Sequence, residues 1–452
     1  MSNEDVSKNM EGLSLSSSAS SLEKENINVV FIGHVDAGKS TIGGQIMYLS
    51  GMVDKRTLEK YEKEAKELNR ESWFLSWALD TSNEERAKGI TVECGRGYFE
   101  TPQRRFTILD APGHKNFVPS MISGATQADV AILVVSARKG EFETGFEKGG
   151  QTREHATLVK TLGIKRLIVA INKMDEPSVK WSKERYDEIL DKLLPFLKSS
   201  GYNIQKEVTC IPISGFTGLN IKERIPESVC PWIGDTPSLL NYLDTMPSLD
   251  RKLDAPVIMQ VTGKCKDMGT MADGKIECGT VAKGANLIVM PTRQPVEVLA
   301  IYIEDAEVKT ARAGDNCRLK LKGVEEDEIV TGYVLCDPAK PVKAATAFVA
   351  HIQIRDIRNI MAPGFKAVMH IHSASEEVTI AALIAEVDRK TNQRTSRKPM
   401  FAKNGDSVIV AIECLHPVCM EAFDDLASLG RFSLRDEGKT IAMGKILEIT
   451  KQ

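Results

Sequence analysis

Short apolar runs alternate with amphipathic or strongly charged segments through the first half of the chain. The apolar runs have the length and the continuous hydrophobicity of buried strands, and they cover residues 27–32, 129–135, 166–171 and 208–213. Two further strands, residues 95–100 and 104–109, are predicted to form a hairpin around a Thr-Pro-Gln turn. Helices are predicted at residues 41–49, 54–70 and 151–162. This alternation of strands and helices is typical of an α/β domain.

The pattern changes after a polar, proline-bounded linker at residues 247–256. Short runs of β character then recur with turn residues between them, which predicts a small β-barrel; they are residues 257–261, 274–278, 286–290, 296–303 and 317–321. A second break at residues 337–341 separates another β-rich module. We therefore expect a serine-rich, disordered tail at residues 1–25 and an α/β domain at residues 26–247. Two β-rich domains are expected to follow, at residues 248–340 and 341–452.

The composition narrows the class of protein. The 452 residues are too many for one hydrophobic core, and 42% apolar with 27% charged residues is typical of a globular chain. The formal net charge of -3 argues against attraction of the whole chain to nucleic acid. Nine cysteines without metal-binding spacing indicate reduced thiols, and hence a cytoplasmic protein. No run is long enough to span a membrane, and the first 25 residues lack the apolar core of a signal peptide.

Residues 33–41 carry the strongest local signal, the pattern G-x-x-x-x-G-K-[ST] between a predicted strand and a predicted helix. The glycines of this P-loop permit a tight turn that directs backbone N–H groups toward phosphate, where a helix N-terminus adds positive potential. Lys39 would supply a point charge to the terminal phosphates, and the Ser40 hydroxyl would ligate Mg²⁺. The nucleotide-binding candidates in this loop are Asp36, Ala37, Gly38, Lys39, Ser40 and Thr41.

Four later residues complete the predicted phosphate side of the site. Thr91, in the loop before the hairpin, and Asp110, at the end of a strand, are the further candidate Mg²⁺ ligands. Gly113 is predicted to offer its backbone N–H to the terminal phosphate. His114 follows it directly and is the candidate catalytic residue that orients an attacking water. Taken alone each residue is ordinary, and the spacing of DAPGH after the P-loop favours this interpretation.

The sequence NKMD, residues 172–175, follows another predicted strand and indicates which nucleotide base the site binds. The carboxylate of Asp175 can accept from both N1–H and the 2-amino group of guanine, whereas adenine would leave that charge unpaired. Asn172 and Lys173 would brace the loop, with the lysine stem lying on the base. A later strand ends in three residues whose backbone can meet guanine O6, namely Ser214, Gly215 and Phe216. The predicted ligands are therefore GTP and GDP, with Mg²⁺.

Two clusters outside this site leave alternatives open. His370 and His372 lie on one face of a predicted strand, where barrel packing is favoured over a metal site because no third ligand is evident. Residues 389–398 form the one dense basic cluster of the sequence. A solvated hairpin is the default interpretation of this cluster, and contact with RNA is the alternative.

With these residues assembled, the chain resembles the translational GTPases of the elongation factor Tu and elongation factor 1-alpha group. The motifs GHVDAGKST, KGIT, DAPGH and NKMD carry this match. The chain resembles more closely the eukaryotic class II release factors, because of RKGEFETGF at 138–146, WSKERY at 181–186 and GRFSLRDEGKT at 430–440. The match extends from residue 27 to residue 450. Members of that family carry a long, low-complexity N-terminal extension, which is expected to be absent here.

The resemblance implies an α/β P-loop GTPase domain followed by two all-β barrel domains, acting as a ribosome-dependent GTPase of translation termination. It also implies a monomer that binds the ribosome, including ribosomal RNA, and binds the codon-reading class I release factor through the third domain. Poly(A)-binding protein would bind the N-terminal extension. Residues 430–436 are the candidate docking segment, although period-2 alternation also allows Phe432 and Leu434 to be barrel core.

Other functions share this plan of a GTPase domain with barrels. A paralogous translational GTPase, such as elongation factor 1-alpha or the factor that rescues stalled ribosomes, is the nearest alternative. The GTPase subunit of a metabolic enzyme such as ATP sulfurylase is the second. A nucleotide-sensing scaffold that binds without turnover is the third.

Overall fold

The computed structural model describes residues 24–67, 73–80, 82, 85–86, 89–147, 150–266, 269–304, 306–388, 391, 393–395 and 398–451. Residues 1–23 of the tail predicted to be disordered lie outside this part of the chain, as do Arg389, Lys390 and Arg397 of the basic cluster. The tail prediction extends too far, because the first strand begins at Glu25. The Glu25 carboxylate accepts a hydrogen bond from the backbone N–H of Leu249 at 2.8 Å.

A mixed sheet of six strands opens the fold, in the order β2-β3-β1-β4-β5-β6. The strands are β1 (Glu25–Gly33), β2 (Gly95–Glu100), β3 (Arg104–Asp110), β4 (Val130–Ser136), β5 (Arg166–Asn172) and β6 (Val208–Pro212). β2 pairs antiparallel with β3 as a hairpin, and the other neighbours run parallel. The carboxyl ends of β1, β3, β4 and β5 therefore meet at one edge of the sheet, where polar loops follow them.

Helices cover both faces of this sheet. They are α1 (Lys39–Leu49), α2 (Lys55–Glu67), α3 (Val118–Thr126), α4 (Glu141–Phe146), α5 (Gln151–Leu162), α6 (Lys183–Ser199), α7 (Ile204–Glu207) and α8 (Leu239–Thr245). Consecutive residues of β4 alternate between the two resulting apolar cores, with Ile132 in one and Leu133 in the other. This burial on both faces explains why the central strands are apolar throughout rather than alternating.

Nine strands make up the next part of the chain. They are β7 (Ile258–Lys266), β8 (Thr270–Cys278), β9 (Thr280–Ala282), β10 (Asn286–Met290), β11 (Gln294–Ile303), β12 (Ala306–Val308), β13 (Thr310–Arg312), β14 (Asn316–Lys322) and β15 (Val334–Cys336). Six of them close into a barrel in the order β10-β15-β7-β8-β14-β11, because β10 also pairs with β11. Val261, Ile301 and Leu319 are among the apolar side chains that fill it.

A second barrel follows, closed in the order β16-β19-β18-β17-β20-β21. Its strands are β16 (Ala344–Ile354), β17 (Lys366–Ile371), β18 (Ala374–Glu386), β19 (Ser407–Cys419), β20 (Arg431–Asp436) and β21 (Lys439–Lys451). The expected order of one α/β domain and two β-barrels is therefore confirmed.

The core of the second barrel determines the role of the candidate docking segment, residues 430–436. Phe432 and Leu434 are fully buried, and the Phe432 ring packs edge-on against Phe348 with ring centroids 5.6 Å apart. Arg435 is also buried and donates to the Glu154 carboxylate of α5 at 3.0 Å. The structure thus supports the barrel-core interpretation and corrects the docking expectation for these side chains, because β20 turns them toward the core and the α/β domain.

His370 and His372 are buried in the same barrel. The Nε2 of His372 lies 2.9 Å from the carbonyl oxygen of Cys419, and burial lowers the pKa of both imidazoles to about 4. Within the described residues, no group of three or more His, Cys, Asp or Glu side chains is placed to hold a metal ion. Packing therefore accounts for this pair of histidines. None of the helices in the described part of the chain has the length and apolar character that a membrane crossing requires.

A buried ionic cluster joins the α/β domain to the first barrel. Asp129 accepts hydrogen bonds from Arg251 at 2.7 and 2.9 Å, from Lys275 at 2.9 Å and from the backbone of Asn28 at 2.9 Å. Burial alone would raise the pKa of the Asp129 carboxyl, but Lys275 and Arg251 lower it to about 2. One carboxylate therefore pairs with two cations at this interface between domains.

We expect Asp129→Asn to lower the free energy of unfolding by about 2–3 kcal/mol at pH 7, because Arg251 and Lys275 lose their nearest counter-charge. The folded-state pKa lies below that of the unfolded chain. The stabilisation is therefore complete above about pH 4 and is lost as the pH falls toward about 2. Urea unfolding of both proteins at pH 7 and at pH 3 measures the difference.

Asp273→Asn is the matched control for this prediction. Asp273 pairs with Arg318 at 2.7 Å, but 45% of the Arg318 side chain is exposed, against 5% for Lys275. Solvent screens a pair with an exposed partner, so its contribution is about 1 kcal/mol or less. Equal losses in the two variants would contradict a special role for the buried cluster.

Candidate functional site

A cavity of about 630 Å³ lies where the carboxyl ends of the parallel strands meet the start of α1. Most of the predicted site residues line it, although they come from five separate stretches of the chain. Those that do are Asp36, Gly38, Lys39, Ser40, Thr41, Thr91, Gly113, Asn172, Lys173, Asp175 and Phe216. Ala37 lines an adjoining cavity, and Asp110, His114, Ser214 and Gly215 line neither of the two.

The P-loop has the backbone that the motif predicts. Asp36 and Gly38 both have positive φ, at 60° and 97°. A Cβ on Gly38 would lie 2.4 Å from Nδ2 of Asn172, so close approach as well as φ requires glycine there. The ammonium of Lys39 is buried and donates to the carbonyl oxygens of Gly33 and His34 at 3.2 and 2.8 Å. Burial lowers the pKa of this lysine, which favours a site that supplies an anionic ligand.

Two hydroxyl groups and two carboxyl groups lie close together next to the P-loop. The hydroxyls of Ser40 and Thr91 lie 3.2 Å apart, and Thr91 also donates to the Asp80 carboxylate at 3.1 Å. Asp110 is fully buried, and among the described residues no group is placed to make a well-formed hydrogen bond to either of its carboxylate oxygens. Burial and the nearby Asp80 raise the pKa of Asp110 to about 7, against the opposing effects of Ser40 and Lys39. A buried carboxylate beside two hydroxyls fits a hard divalent cation.

Asp80 is a site residue that the sequence did not reveal. It is buried, lines the cavity and bonds Thr91, yet it follows a short 3₁₀ turn, Ser76–Ala78, outside any recognisable motif. Burial raises the pKa of this carboxyl as well. An acidic residue after an apolar stretch is too common a signal to have been singled out.

Gly113 and His114 occupy different positions relative to the cavity. Gly113 lies against the P-loop, where a Cβ would be 2.5 Å from Nζ of Lys39 and 3.0 Å from the backbone nitrogen of Val35. His114 caps a 3₁₀ turn, and its Nδ1 accepts from the backbone N–H of Asn116 at 3.3 Å. The imidazole is partly exposed and does not line the cavity, whereas Val35 and Ile90 do.

One asparagine, Asn172, joins the P-loop to the loop that contains Gly215. Asn172 donates to the carbonyl of Ala37 at 2.9 Å and accepts from the backbone N–H of Gly215 at 2.7 Å. The N–H of Ser214 is bonded to the carbonyl of Leu219. Ser214 and Gly215 therefore brace the loop through bonds of their own, and Phe216 is the member of that trio that lines the cavity.

Models of three known domain families match successive parts of the chain. The elongation factor Tu GTP binding domain matches residues 24–251, elongation factor Tu domain 2 matches residues 269–336, and the GTP-eEF1A C-terminal domain-like family matches residues 347–447. These matches follow the order of the α/β sheet and the two barrels.

Curated relatives agree with the expected resemblance. A protein of Kluyveromyces lactis, named eukaryotic peptide chain release factor GTP-binding subunit, is 55% identical over 427 residues, which are 94% of this chain and 61% of that protein. The protein of the same name from Schizosaccharomyces pombe is 55% identical over 428 residues, 94% of this chain and 64% of that one. The chain thus spans less than two thirds of either relative, and the expected resemblance to this group is confirmed.

A solved structure supports the fold alone. The GTPase-like domain of Ski7 from S. cerevisiae, bound to GDP and inorganic phosphate, is 17% identical and has a TM-score of 0.77. The match covers 95% of this chain and 98% of that domain.

Proposed function

Because the chain belongs to the elongation factor Tu family of GTP-binding proteins, we propose that it is a ribosome-dependent GTPase of translation termination. The observation that carries the GTPase part is the convergence of P-loop, Thr91 and the 172–175 loop on one cavity. The termination part rests on the curated relatives, whose shared name is that of a release factor subunit.

GTP and GDP are the proposed ligands of this cavity. The P-loop backbone and the Lys39 ammonium hold the phosphates, since the ammonium is buried and points at the carbonyls of the same loop. Asp175, which also lines the cavity, reads the guanine edge. Asn172 fixes the distance between the P-loop and the loop at Gly215 because it bonds both.

Mg²⁺ is the proposed metal of the site. Ser40, Thr91 and Asp110 would hold it, directly or through water, because the buried Asp110 carboxyl lies near Ser40, whose hydroxyl is 3.2 Å from that of Thr91. The ion supplies charge neutralisation to the phosphates when bound. Thr91 is already held by Asp80, which keeps its hydroxyl next to Ser40.

His114 is the proposed group that aligns the attacking water. In the described structure its imidazole lies outside the cavity, with Val35 and Ile90 in the wall. Hydrolysis by the chain alone is therefore slow, and contact with the ribosome must bring the imidazole to the phosphates.

The proposed protein partner is the codon-reading class I release factor, bound through the second barrel. The buried side chains of β20 are unavailable for this contact. A better-placed surface contains Ile360, Met400 and Phe401, which are at least half exposed and lie together because Met361 and Ala402 form a β-bridge. Exposed aromatic and apolar groups of this kind favour a protein partner. Ribosomal RNA is the proposed contact of the basic cluster at residues 389–398, part of which lies outside the described residues.

Single-turnover GTP hydrolysis by the full chain tests the proposal. The rate is measured for the chain alone, with ribosomes, and with ribosomes plus a class I release factor. We expect slow hydrolysis alone and acceleration when both are present. Acceleration that requires aminoacyl-tRNA instead would indicate a paralogous translation factor. Sulfate activation without ribosomes would indicate a metabolic enzyme subunit, and binding without turnover would indicate a scaffold.

A further inference from the structure

Residues 138–146, called the α4 segment below, lie beside the nucleotide cavity and include the whole of helix α4. Phe142 and Phe146 anchor the segment in the core, with their rings stacked and the centroids 5.2 Å apart. Arg185 of α6 fixes it from the other side, because its buried guanidinium donates to the Glu143 carboxylate at 2.9 Å. The α4 segment is therefore held firmly against the α/β domain.

The first residue of α4, Glu141, reaches from this segment to the base side of the cavity. One of its carboxylate oxygens accepts from the Ser136 hydroxyl at 2.7 Å and from the Lys173 ammonium at 2.8 Å. The other oxygen accepts from Arg138 at 3.2 Å. Burial opposes the charged form, but the hydrogen bonds from Lys173 and Ser136 outweigh it and lower the pKa of Glu141.

Lys173 depends on this contact for its position. Its backbone is in the left-handed region, with φ of 62°. A lysine side chain has a long flexible stem and a strongly hydrated ammonium, so an untethered one turns toward solvent. The pair is mostly buried, with 24% of the Lys173 side chain and 30% of the Glu141 side chain exposed. Salt therefore screens it less than a surface pair.

We propose that Glu141 is a positioning residue for guanine nucleotides, which holds the stem of Lys173 against the base that Asp175 reads. Both Glu141 and Lys173 line the cavity next to Asp175. The inference rests on the proposed function, since it assumes that guanine nucleotides bind here. It assigns a role to the α4 segment, whose Glu141 contacts Lys173 directly.

The base is common to GDP and GTP, so the tether acts equally on both. Glu141→Gln removes the charge and keeps the size of the side chain. We expect both nucleotides to dissociate about tenfold faster from this variant, because an ion pair has become a hydrogen bond from the ammonium to an uncharged amide. The ratio of the two dissociation rates stays as in the wild-type chain. A fluorescent GDP and a fluorescent non-hydrolysable GTP analogue, displaced by excess unlabelled nucleotide, provide the measurement.

Glu147→Gln is the matched control. Glu147 is exposed just beyond the end of α4 and does not line the cavity. We expect this variant to release both nucleotides at the wild-type rate. Melting temperatures of the nucleotide-free proteins show whether either substitution disturbs the fold.

Lys173→Met tests whether Glu141 acts through the lysine, because methionine keeps an apolar stem and removes the ammonium. In this background Glu141→Gln should have no further effect on dissociation. An additive effect would mean that Glu141 acts by another route, and unchanged rates in Glu141→Gln would show that the tether has no influence; either result overturns the inference alone. A wild-type chain that binds no guanine nucleotide would refute the proposed function and this inference together.

Discussion

Asp175→Asn is expected to change the nucleotide preference of the chain from guanine nucleotides to xanthine nucleotides. The guanine edge presents two donors, which a carboxylate accepts together and an amide does not. The 2-oxo group of xanthine instead accepts from the amide. Two hydrogen bonds to a charged group are worth roughly 4 kcal/mol together, so GTP affinity should fall by about a thousandfold. Competition of GTP and XTP for the cavity measures the exchange.

The position of Asp175 in the structure makes this variant informative. Asp175 lines the cavity, and it belongs to a different loop from the P-loop that would hold the phosphates. The same substitution at Asp191, which is exposed on α6, serves as the control and should leave GTP preference unchanged. A folded Asp175→Asn protein that still prefers GTP would show that the base is recognised elsewhere.

His114→Ala is expected to retain GTP binding. The rate of ribosome-stimulated hydrolysis should fall by about a hundredfold or more, because the attacking water is no longer positioned. Binding is spared because the imidazole does not line the nucleotide cavity. Its Nδ1 accepts a backbone hydrogen bond from Asn116, which leaves Nε2 to face a water. Single-turnover hydrolysis with ribosomes and equilibrium GTP binding measure the two effects separately.

His416→Ala provides the comparison for this result. His416 is exposed on the second barrel and pairs with Glu376 at 2.9 Å, far along the chain from the P-loop. We expect that variant to hydrolyse GTP at the wild-type rate. Near-normal stimulated turnover in His114→Ala would remove His114 from the mechanism, and weakened GTP binding would place it in the binding site instead.

Contacts between domains also bear on the proposed activity. Arg435 of the second barrel pairs with Glu154 of α5, and the next residue, His155, accepts the N–H of Gly33 at 3.1 Å. Gly33 is the last residue of β1 and the first of the P-loop. A short buried path thus connects β20 of the second barrel to the phosphate side of the cavity.

The sequence by itself determined the order of domains and most of the residues of the proposed nucleotide site. P-loop chemistry depends on backbone turns and side chains within nine consecutive residues, so local sequence is enough to identify it. The same holds for Asn172, Lys173 and Asp175, which follow a buried strand directly. Parallel strands bring their carboxyl ends to one edge, and this general rule was sufficient to predict that the separate motifs would meet.

Only the tertiary structure decided which further side chains complete the site. Asp80 reaches Thr91, and Glu141 reaches Lys173, through packing between segments that no local pattern connects. In the second barrel, period-2 alternation shows that residues share a face but leaves open which face is inside. Strand pairing in the closed barrel placed Phe432 and Leu434 in the core, because burial is a property of the assembled sheet and not of the strand alone.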